Sequence, residues 1–137
     1  MLTDDLKRKL INSALQTRQR AYAPYSGYAV GAALLTKTGE IYTGVNVENA
    51  AYPTSICAER VAVFKAVSDG EREYEAIVVA SSNWGTPCGA CRQVLSEFGL
   101  DTKILIVDGE GTLIQETTVG DLLPGAFTSQ DLPPQEK

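Results

Sequence analysis

The residues with the clearest chemical potential are three cysteines and one glutamate. Cys57 stands two positions before Glu59, and Cys88 and Cys91 follow as a Cys-x-x-Cys pair. The 137-residue sequence has no other cysteine and no histidine. Three cysteines cannot all pair within one chain, and a reducing cytoplasm would keep them as thiols. The pattern therefore indicates a site in which sulfur and carboxylate act together.

The spacing of the sulfurs suits zinc. Cys88 and Cys91 are three residues apart at the predicted start of a helix, so their side chains share one face of its first turn. Two such thiolates fit one tetrahedral zinc ion, and Cys57, which opens another predicted helix, can supply a third. Three protein ligands leave one coordination position open, which is the catalytic rather than the structural arrangement.

Glu59 has a different role in this interpretation. At ~100° per residue, a helical side chain two positions after another points far from it, so Glu59 is not part of the ligand set. With no histidine in the chain, its carboxylate is the leading candidate for a general base. Arg60 can donate hydrogen bonds to the thiolates, and two helix N-termini add partial positive charge that offsets the anionic sulfurs.

Each motif taken alone has a simpler interpretation. A Cys-x-x-Cys pair is often a redox motif or half of a structural zinc site, and Cys57 could be an ordinary buried thiol. Taken together and in this order, they match the pattern of zinc deaminases. In that pattern a ligand-x-Glu precedes Pro-Cys-x-x-Cys, and an all-cysteine variant of the ligand set exists.

The elements that must position these residues alternate between helix and strand. The predicted helices are 3–21, 56–67, 89–98 and a short turn at 120–123, and the predicted strands are 28–36, 41–48, 74–81, 103–107 and 112–119. Strand–helix–strand units with short connections indicate an α/β fold in which helices cover a sheet. We expect a single domain over residues 1–137, with a flexible tail from about residue 129.

Composition and charge narrow the function further. The net charge is −5, and the Lys and Arg residues are scattered, so a nucleic acid polymer is not expected as a partner. A small neutral component of nucleic acid remains compatible with this charge. No run is long and apolar enough to span a membrane, and the charged N-terminus lacks a signal-peptide core. We therefore expect a cytoplasmic protein with no membrane partner.

Beyond these motifs, the sequence closely resembles the small homotetrameric, zinc-dependent cytidine deaminases of nucleoside salvage. The matching stretches are PYSGYAVGAALLT (24–36), GVNVENAAYP (44–53), CAERVAVFKAVSDG (57–70), PCGACRQVLSEFG (87–99) and LLPGAF (122–127). The resemblance implies a three-layer cytidine-deaminase-like fold, with a five-stranded mixed sheet between helices. It also implies one zinc ion per chain, held by Cys57, Cys88 and Cys91.

The implied reaction is the hydrolytic deamination of cytidine and deoxycytidine to uridine and deoxyuridine, with release of ammonia. The resemblance implies that Glu59 takes a proton from the attacking water, passes it to N3 of cytosine and then protonates the leaving amine. This reaction serves pyrimidine salvage, and its substrate is a small nucleoside.

The resemblance also implies the substrate contacts. Asn46 and Glu48 would bind the ribose 3′-hydroxyl, and the backbone around Ala58 and Thr86 would recognise the pyrimidine. Further contacts would come from Tyr28 beside the base, and from Tyr52 and Phe127, which would reach a neighbouring subunit's pocket. On pattern alone, Asn46 and Glu48 could instead be the solvent face of a strand, and Phe127 a core anchor for the tail.

The sequence departs from the family pattern at three places. Tyr28 stands where phenylalanine is expected, and Val45 stands where cysteine is frequent. The segment 82–85 is shorter than expected and carries the only tryptophan. The first and last of these departures bear on the surroundings of the base and on the substrate range.

Three other functions compete with this interpretation. The first is deamination of a modified cytosine nucleoside, such as a blasticidin-type antibiotic, against which Glu48 favours an ordinary ribose. The second is a non-catalytic zinc-binding or interaction module, which would not need Glu59. The third is editing of DNA or RNA, which the acidic charge disfavours.

Overall fold

Helices and strands alternate along the chain. The structure is a computed structural model and describes residues 2–134. Its helices are α1 (Asp4–Arg18), α2 (Ala58–Ser68), α3 (Gly89–Ser96) and α4 (Val119–Leu122), and its strands are β1 (Gly31–Thr36), β2 (Ile41–Val45), β3 (Tyr74–Ala80), β4 (Lys103–Val107) and β5 (Leu113–Thr118). Short 3-10 helices lie at Tyr52–Thr54 and Ser129–Asp131.

The five strands form one mixed sheet in the order β2-β1-β3-β4-β5. β3 and β4 are parallel, and the other neighbouring pairs are antiparallel. A parallel pair needs a crossover connection, and here α3 provides it. In α/β sheets, ligands bind beyond the carboxyl ends of such strands. The segment that connects β3 to α3 and leads to Cys88 therefore lies at the edge of the sheet where a binding site is expected.

The sheet lies between two layers of helix, as the sequence predicted. Along β1, Ala32 and Leu34 join a core cluster with α2 and α3, whereas Ala33 and Leu35 join a second cluster with α1. These four side chains are at most 2% exposed. A strand that is buried on both faces reads as a continuous apolar run, which explains the pattern of residues 31–36. The predicted three-layer α/β fold is confirmed.

The element boundaries differ from prediction at the ends that border the cavity. The two strands predicted over 28–36 and 41–48 pair as an antiparallel hairpin, but each is three residues shorter than predicted. The first begins at residue 31 and the second ends at residue 45. The Asn46 side chain is the physical reason. Its Oδ1 accepts a hydrogen bond from Val30 N at 2.9 Å, and its Nδ2 donates to Tyr28 O at 2.7 Å. A side chain thus satisfies backbone groups that a longer strand would have paired.

The first helix is shorter than the predicted 3–21 but begins where expected. The Thr3 hydroxyl accepts a hydrogen bond from Leu6 N at 3.2 Å, and Asp4 and Asp5 occupy the first turn. Acidic residues there interact favourably with the helix dipole. At the other end of the chain, Thr128 and Asp131 form a capping box. Of the expected flexible tail from about residue 129, residues 129–134 are described and include the 3-10 helix Ser129–Asp131. Residues 135–137 lie outside the described residues. Within residues 2–134, no helix has both the length and the apolar character needed to cross a membrane.

Candidate active site

Three thiols come together where two helices begin. Cys57 is the N-cap of α2, Cys88 is the N-cap of α3, and Cys91 lies in the first turn of α3. The Cys57 and Cys88 sulfurs are 3.8 Å apart, and those of Cys88 and Cys91 are 3.5 Å apart. All three lie within 4.8 Å of one another. The helix N-termini direct partial positive charge at sulfurs that must ionise to bind a metal.

A close approach of β2 to α2 positions Cys57. A Cβ atom on Gly44 would lie 2.4 Å from the Ala58 carbonyl oxygen and 2.6 Å from Ala62 N. No residue larger than glycine fits there without a backbone shift. Gly44 therefore lets the start of α2 lie directly against the sheet, which fixes the depth of Cys57.

Arg92 fixes the segment that leads into α3, a role that sequence reasoning did not assign. Its Nε donates to Pro87 O at 2.7 Å, and its Nη2 donates to Thr86 Oγ1 at 2.9 Å. A third bond runs from Nη1 to Leu122 O at 2.8 Å. The planar guanidinium thus holds together the Thr86 side chain, the Pro87 backbone and the C-terminal segment. The adjacency of Arg92 to Cys91 was the signal available in the sequence.

The thiols and Arg60 form one electrostatic unit. Arg60 Nη2 donates a hydrogen bond to Cys57 Sγ at 3.5 Å. Hydrogen bonding with Cys91 lowers the pKa of Cys57, with a further contribution from Arg60, and the same interaction with Cys57 raises the pKa of Cys91. Among the described residues, Arg60 Nε is buried without a hydrogen-bond partner. Arg60 thus places its positive charge beside the sulfurs, as expected for a group that balances thiolate charge.

Glu59 is an acid removed from water beside these sulfurs. The residue is only 5% exposed, and burial raises the pKa of its carboxyl group to about 7. A carboxylic acid that titrates near neutrality can both accept and donate protons during turnover. The side chain lies in the first turn of α2 and lines the same cavity as Cys57 and Cys88.

The three sulfurs fit a zinc ion. Two thiolates on a tetrahedral zinc lie about 3.8 Å apart, because each Zn–S bond is about 2.3 Å long. The observed S–S separations of 3.8 Å between Cys57 and Cys88 and 3.5 Å between Cys88 and Cys91 agree with that value. The cysteines are free thiols, and sulfur is a ligand that zinc accepts readily. Donor type and spacing therefore both suit the metal.

A cavity of about 490 Å³ extends from the sulfurs to the start of β1. It has room for a small organic molecule. Most residues predicted for the site line it: Tyr28, Asn46, Glu48, Tyr52, Cys57, Ala58, Glu59, Arg60, Thr86 and Cys88. Cys91 is fully buried behind this lining. Phe127 is not among the lining residues and is 56% exposed.

Asn46 and Glu48 form the part of the cavity lining that we call the far end, and each has partners of its own. Glu48 Oε1 accepts hydrogen bonds from Tyr25 N and Ser26 N, both at 3.0 Å. Its other oxygen accepts from the Ser26 hydroxyl. Asn46 and Glu48 are 9% and 7% exposed, while Val47 between them is 42% exposed. The solvent-face interpretation of this pair is therefore wrong, and Ser26 is a partner that the sequence pattern did not identify.

Comparisons with known proteins agree with this geometry. Residues 4–107 match the family described as the cytidine and deoxycytidylate deaminase zinc-binding region. A cytidine deaminase of Sporosarcina psychrophila is 50% identical over 126 residues, which cover 90% of this chain and 93% of the relative. A blasticidin-S deaminase of Bacillus cereus is 35% identical over 109 residues, covering 72% of this chain and 76% of the relative.

The same likeness extends to solved structures. The crystal structure of a cytidine deaminase from Burkholderia pseudomallei superposes with a TM-score of 0.83 at 45% sequence identity. The match covers 88% of this chain and 98% of the other. With matching fold, sulfur cluster and buried glutamate, the chain belongs to the cytidine and deoxycytidylate deaminase family of zinc proteins.

Proposed function

We propose that this protein is a zinc-dependent hydrolase that converts cytidine and deoxycytidine to uridine and deoxyuridine with release of ammonia. The observation that carries the proposal is the position of Glu59. This acid is 5% exposed and lines one cavity with Cys57 and Cys88. A structural zinc site has no need of such a group. The 50% identity to a curated cytidine deaminase supports the same conclusion.

Cys57, Cys88 and Cys91 would hold the zinc as thiolates. When bound, zinc acts as a Lewis acid that makes water a stronger nucleophile at neutral pH. Arg60 offsets part of the thiolate charge through its hydrogen bond to Cys57 Sγ. This matters because electron-rich sulfurs would otherwise weaken the ion as an acid.

Glu59 carries the protons in this reaction. Its carboxylate accepts one from the attacking water and delivers it to N3 of the cytosine ring as oxygen adds to C4. The carboxylate then takes the remaining proton from the new C4 hydroxyl and gives it to the exocyclic amine, so that the C4–N bond breaks, ammonia leaves and the C4 oxygen becomes a carbonyl. A pKa of about 7 lets one group accept and release protons without a large penalty in either direction.

Asn46 and Glu48 would select the sugar. Amide and carboxylate oxygens retain lone pairs beyond the bonds that they already accept, and the Asn46 amide has a second N–H. They can therefore receive and donate hydrogen bonds to the ribose 3′-hydroxyl. The backbone around Ala58 and Thr86, together with the Tyr28 ring, would contact the pyrimidine at the other end. Free cytosine lacks the sugar hydroxyl that the remaining hydrogen-bonding capacity of this pair would bind, and it should be a poor substrate.

We further propose that the single 137-residue domain assembles into a homotetramer in which neighbours complete each cavity. Tyr52 and Phe127 are 59% and 56% exposed within one chain. Gln93 Nε2 donates to Phe127 O at 2.9 Å, which attaches this aromatic residue to α3. Exposed aromatic side chains on a fixed backbone are typical anchors of an interface. The expected setting is pyrimidine salvage in the cytoplasm.

The proposal is tested by following the ultraviolet absorbance of cytidine with the zinc-loaded protein. We expect loss of the cytosine spectrum, appearance of uridine and one ammonia per uridine. A chelator-treated sample should lose this activity and regain it with zinc. Absence of turnover by protein with one zinc per chain would overturn the proposal. Preferred turnover of blasticidin S over cytidine would reassign the substrate.

A further inference from the structure

A hydrogen-bonded clasp connects two distant parts of the cavity wall. Tyr28 Oη donates to Asn83 Oδ1 at 2.6 Å, and the Ser81 hydroxyl donates to the same oxygen at 3.3 Å. Ser81 Oγ in turn accepts from Gly85 N at 3.2 Å. The four residues thus form a continuous chain of bonds from the start of β1 to the segment that follows β3.

The clasp is anchored at one end and tightly packed at the other. Ser81 is 1% exposed, and its N–H donates to Val107 O at 3.3 Å, which extends the pairing of β3 with β4. At Gly85, an added Cβ atom would lie 2.9 Å from Tyr28 Oη. The hydroxyl of Tyr28 therefore occupies space that the loop backbone would otherwise be free to enter.

The loop between these anchors has an unusual backbone. Trp84 has a φ of 50°, and it is the only non-glycine residue with a positive φ among residues 2–134. Bulky residues are disfavoured in this left-handed region and persist there when their surroundings over-determine them. Asn83 before Trp84 and Gly85 after it are both in the clasp. The bonds of the clasp thus supply that constraint.

The position of the clasp connects it to the reacting end of the substrate. Tyr28, Gly85 and Thr86 all line the cavity, and Cys88 follows two residues after Thr86. In the proposed reaction, the amine of the base leaves from the carbon that lies nearest the sulfurs. The wall formed by Gly85 and Thr86 is therefore the part of the cavity that a substituent on this amine would meet.

We propose that Tyr28 is a specificity-determining positioning residue. Through Asn83 it holds the segment 81–86, of which Gly85 and Thr86 line the cavity, and so excludes cytosines that carry a substituent on the exocyclic amine. This inference rests on the proposed function in its choice of substrate. For such a substrate the chemistry is unchanged: water adds to C4, the C4–N bond breaks, and a substituted amine leaves in place of ammonia.

The experiment compares cytidine with N4-methylcytidine. In Tyr28→Phe the ring remains and the bond to Asn83 is lost, so the ratio of kcat/KM for N4-methylcytidine to that for cytidine should rise about tenfold. A fitted pocket discriminates about 10- to 200-fold per added methylene, so this is a partial loss of discrimination. Asn83→Ala should raise the ratio equally, and the double variant should show no further increase. An unchanged ratio in both single variants would overturn the proposal.

A matched control removes a tyrosine hydroxyl elsewhere. Tyr42 Oη is hydrogen-bonded to the Asp69 carboxylate, and neither residue lines this cavity. Tyr42→Phe should leave the substrate ratio at its wild-type value. An equal rise in Tyr42→Phe would attribute the effect to general loosening and contradict a specific role for Tyr28.

Hydrogen exchange tests the clasp without any substrate. The backbone amides of residues 81–86 should exchange faster in Tyr28→Phe and Asn83→Ala, while those of β3 and β4 keep their protection. Unchanged exchange of 81–86 in Tyr28→Phe would overturn the clasp even if cytidine is turned over. If the wild-type protein fails to turn over cytidine while exchange responds as expected, the proposed function fails and the positioning role of Tyr28 stands.

Discussion

The two ends of the cavity satisfy their polar groups in opposite ways. At the far end, Asn46 and Glu48 have partners within the chain, including Val30 N and the Ser26 hydroxyl. At the sulfur end, free thiols are clustered within 4.8 Å, and the carboxyl group of Glu59 is shielded from water. The Arg60 Nε beside them is buried without a partner among the described residues. The polar groups at the far end are thus paired within the chain, whereas the thiols and the Glu59 carboxyl group at the sulfur end remain available to a metal ion and a reactant.

This difference separates positioning from chemistry. A polar group whose bonds are already made is rigid, and it can present its remaining lone pairs in a fixed direction at little entropic cost. A buried group with unmet electrostatic needs destabilises the fold and is retained where a metal or reactant meets those needs. The far end therefore suits recognition of a sugar, whereas the sulfur end suits a metal and proton transfer.

Removing a sulfur should have the largest effect. In Cys88→Ala the thiol that lies near both other sulfurs is lost, leaving two ligands at most. We expect zinc affinity to fall by more than about 100-fold, since even partners outside the ligand set contribute 10- to 100-fold. Cytidine turnover should disappear with the metal. Metal analysis after dialysis measures this directly, and a full complement of zinc in Cys88→Ala would remove that residue from the proposed ligand set.

Shortening the acid at the far end should impair substrate selection. Hydrogen bonds to charged groups contribute about 1.5–3 kcal/mol, so Glu48→Ala should lower kcat/KM for cytidine by about 10- to 100-fold. The rate with free cytosine should change much less, because cytosine lacks the sugar. Glu110→Ala, in the turn between β4 and β5, is the control for the loss of an acid. An equal loss of kcat/KM with cytidine and cytosine would show that Glu48 does not bind the sugar and serves only through its hydrogen bonds to Tyr25 and Ser26.

Truncating the exposed aromatic residue should have an intermediate effect. Burial of a phenylalanine side chain contributes about 1.5–3 kcal/mol, so Phe127→Ala should weaken the tetramer and raise KM for cytidine about tenfold. Leu132→Ala is a control in the same segment, since Leu132 is 52% exposed. Light scattering measured alongside activity separates assembly from catalysis. A fully active monomer would contradict completion of the cavity by a neighbouring subunit.

The smallest expected effect is on the pH dependence of stability that Glu48 contributes at the far end. Hydrogen bonds from Ser26 lower the pKa of Glu48 in the folded state. Its carboxylate thus contributes stability above its unfolded pKa of about 4.3, and that stability is lost as the pH falls through the lower folded value. The Tm difference between wild type and Glu48→Gln should therefore be present at pH 7 and shrink in acid. A difference that grows as the pH falls would show that Glu48 is protonated in the fold.

The sequence predicted the sulfur end better than the far end. Cys57, Glu59, Cys88 and Cys91 lie in short motifs at helix starts, so local spacing was sufficient to bring the cysteine pair together and to separate the acid. The far end depends on contacts between side chains and distant backbone. Nothing in the local pattern predicts that Asn46 ends the hairpin early by bonding to Val30 and Tyr28.

The clasp shows the same limit. Tyr28 and the segment 82–85 each depart from the family pattern. The two bonded residues, Tyr28 and Asn83, are 55 residues apart in the sequence. Periodicity and propensity carry no information about a hydrogen bond across that separation. By contrast, the strand Lys103–Val107 was predicted with its observed limits, because its burial and its apolar run coincide.

In the proposed mechanism, Glu59 carries the protons while the cysteines hold the metal. The most direct test is the turnover number of Glu59→Gln for cytidine, measured on protein whose zinc content equals that of the wild type. Glutamine keeps the size of the side chain but cannot exchange a proton near neutral pH. General acid–base catalysis contributes about 10²–10⁴-fold, so we expect kcat to fall by at least 100-fold with zinc retained. A kcat near that of the wild type would contradict the account and assign the proton transfer to another group.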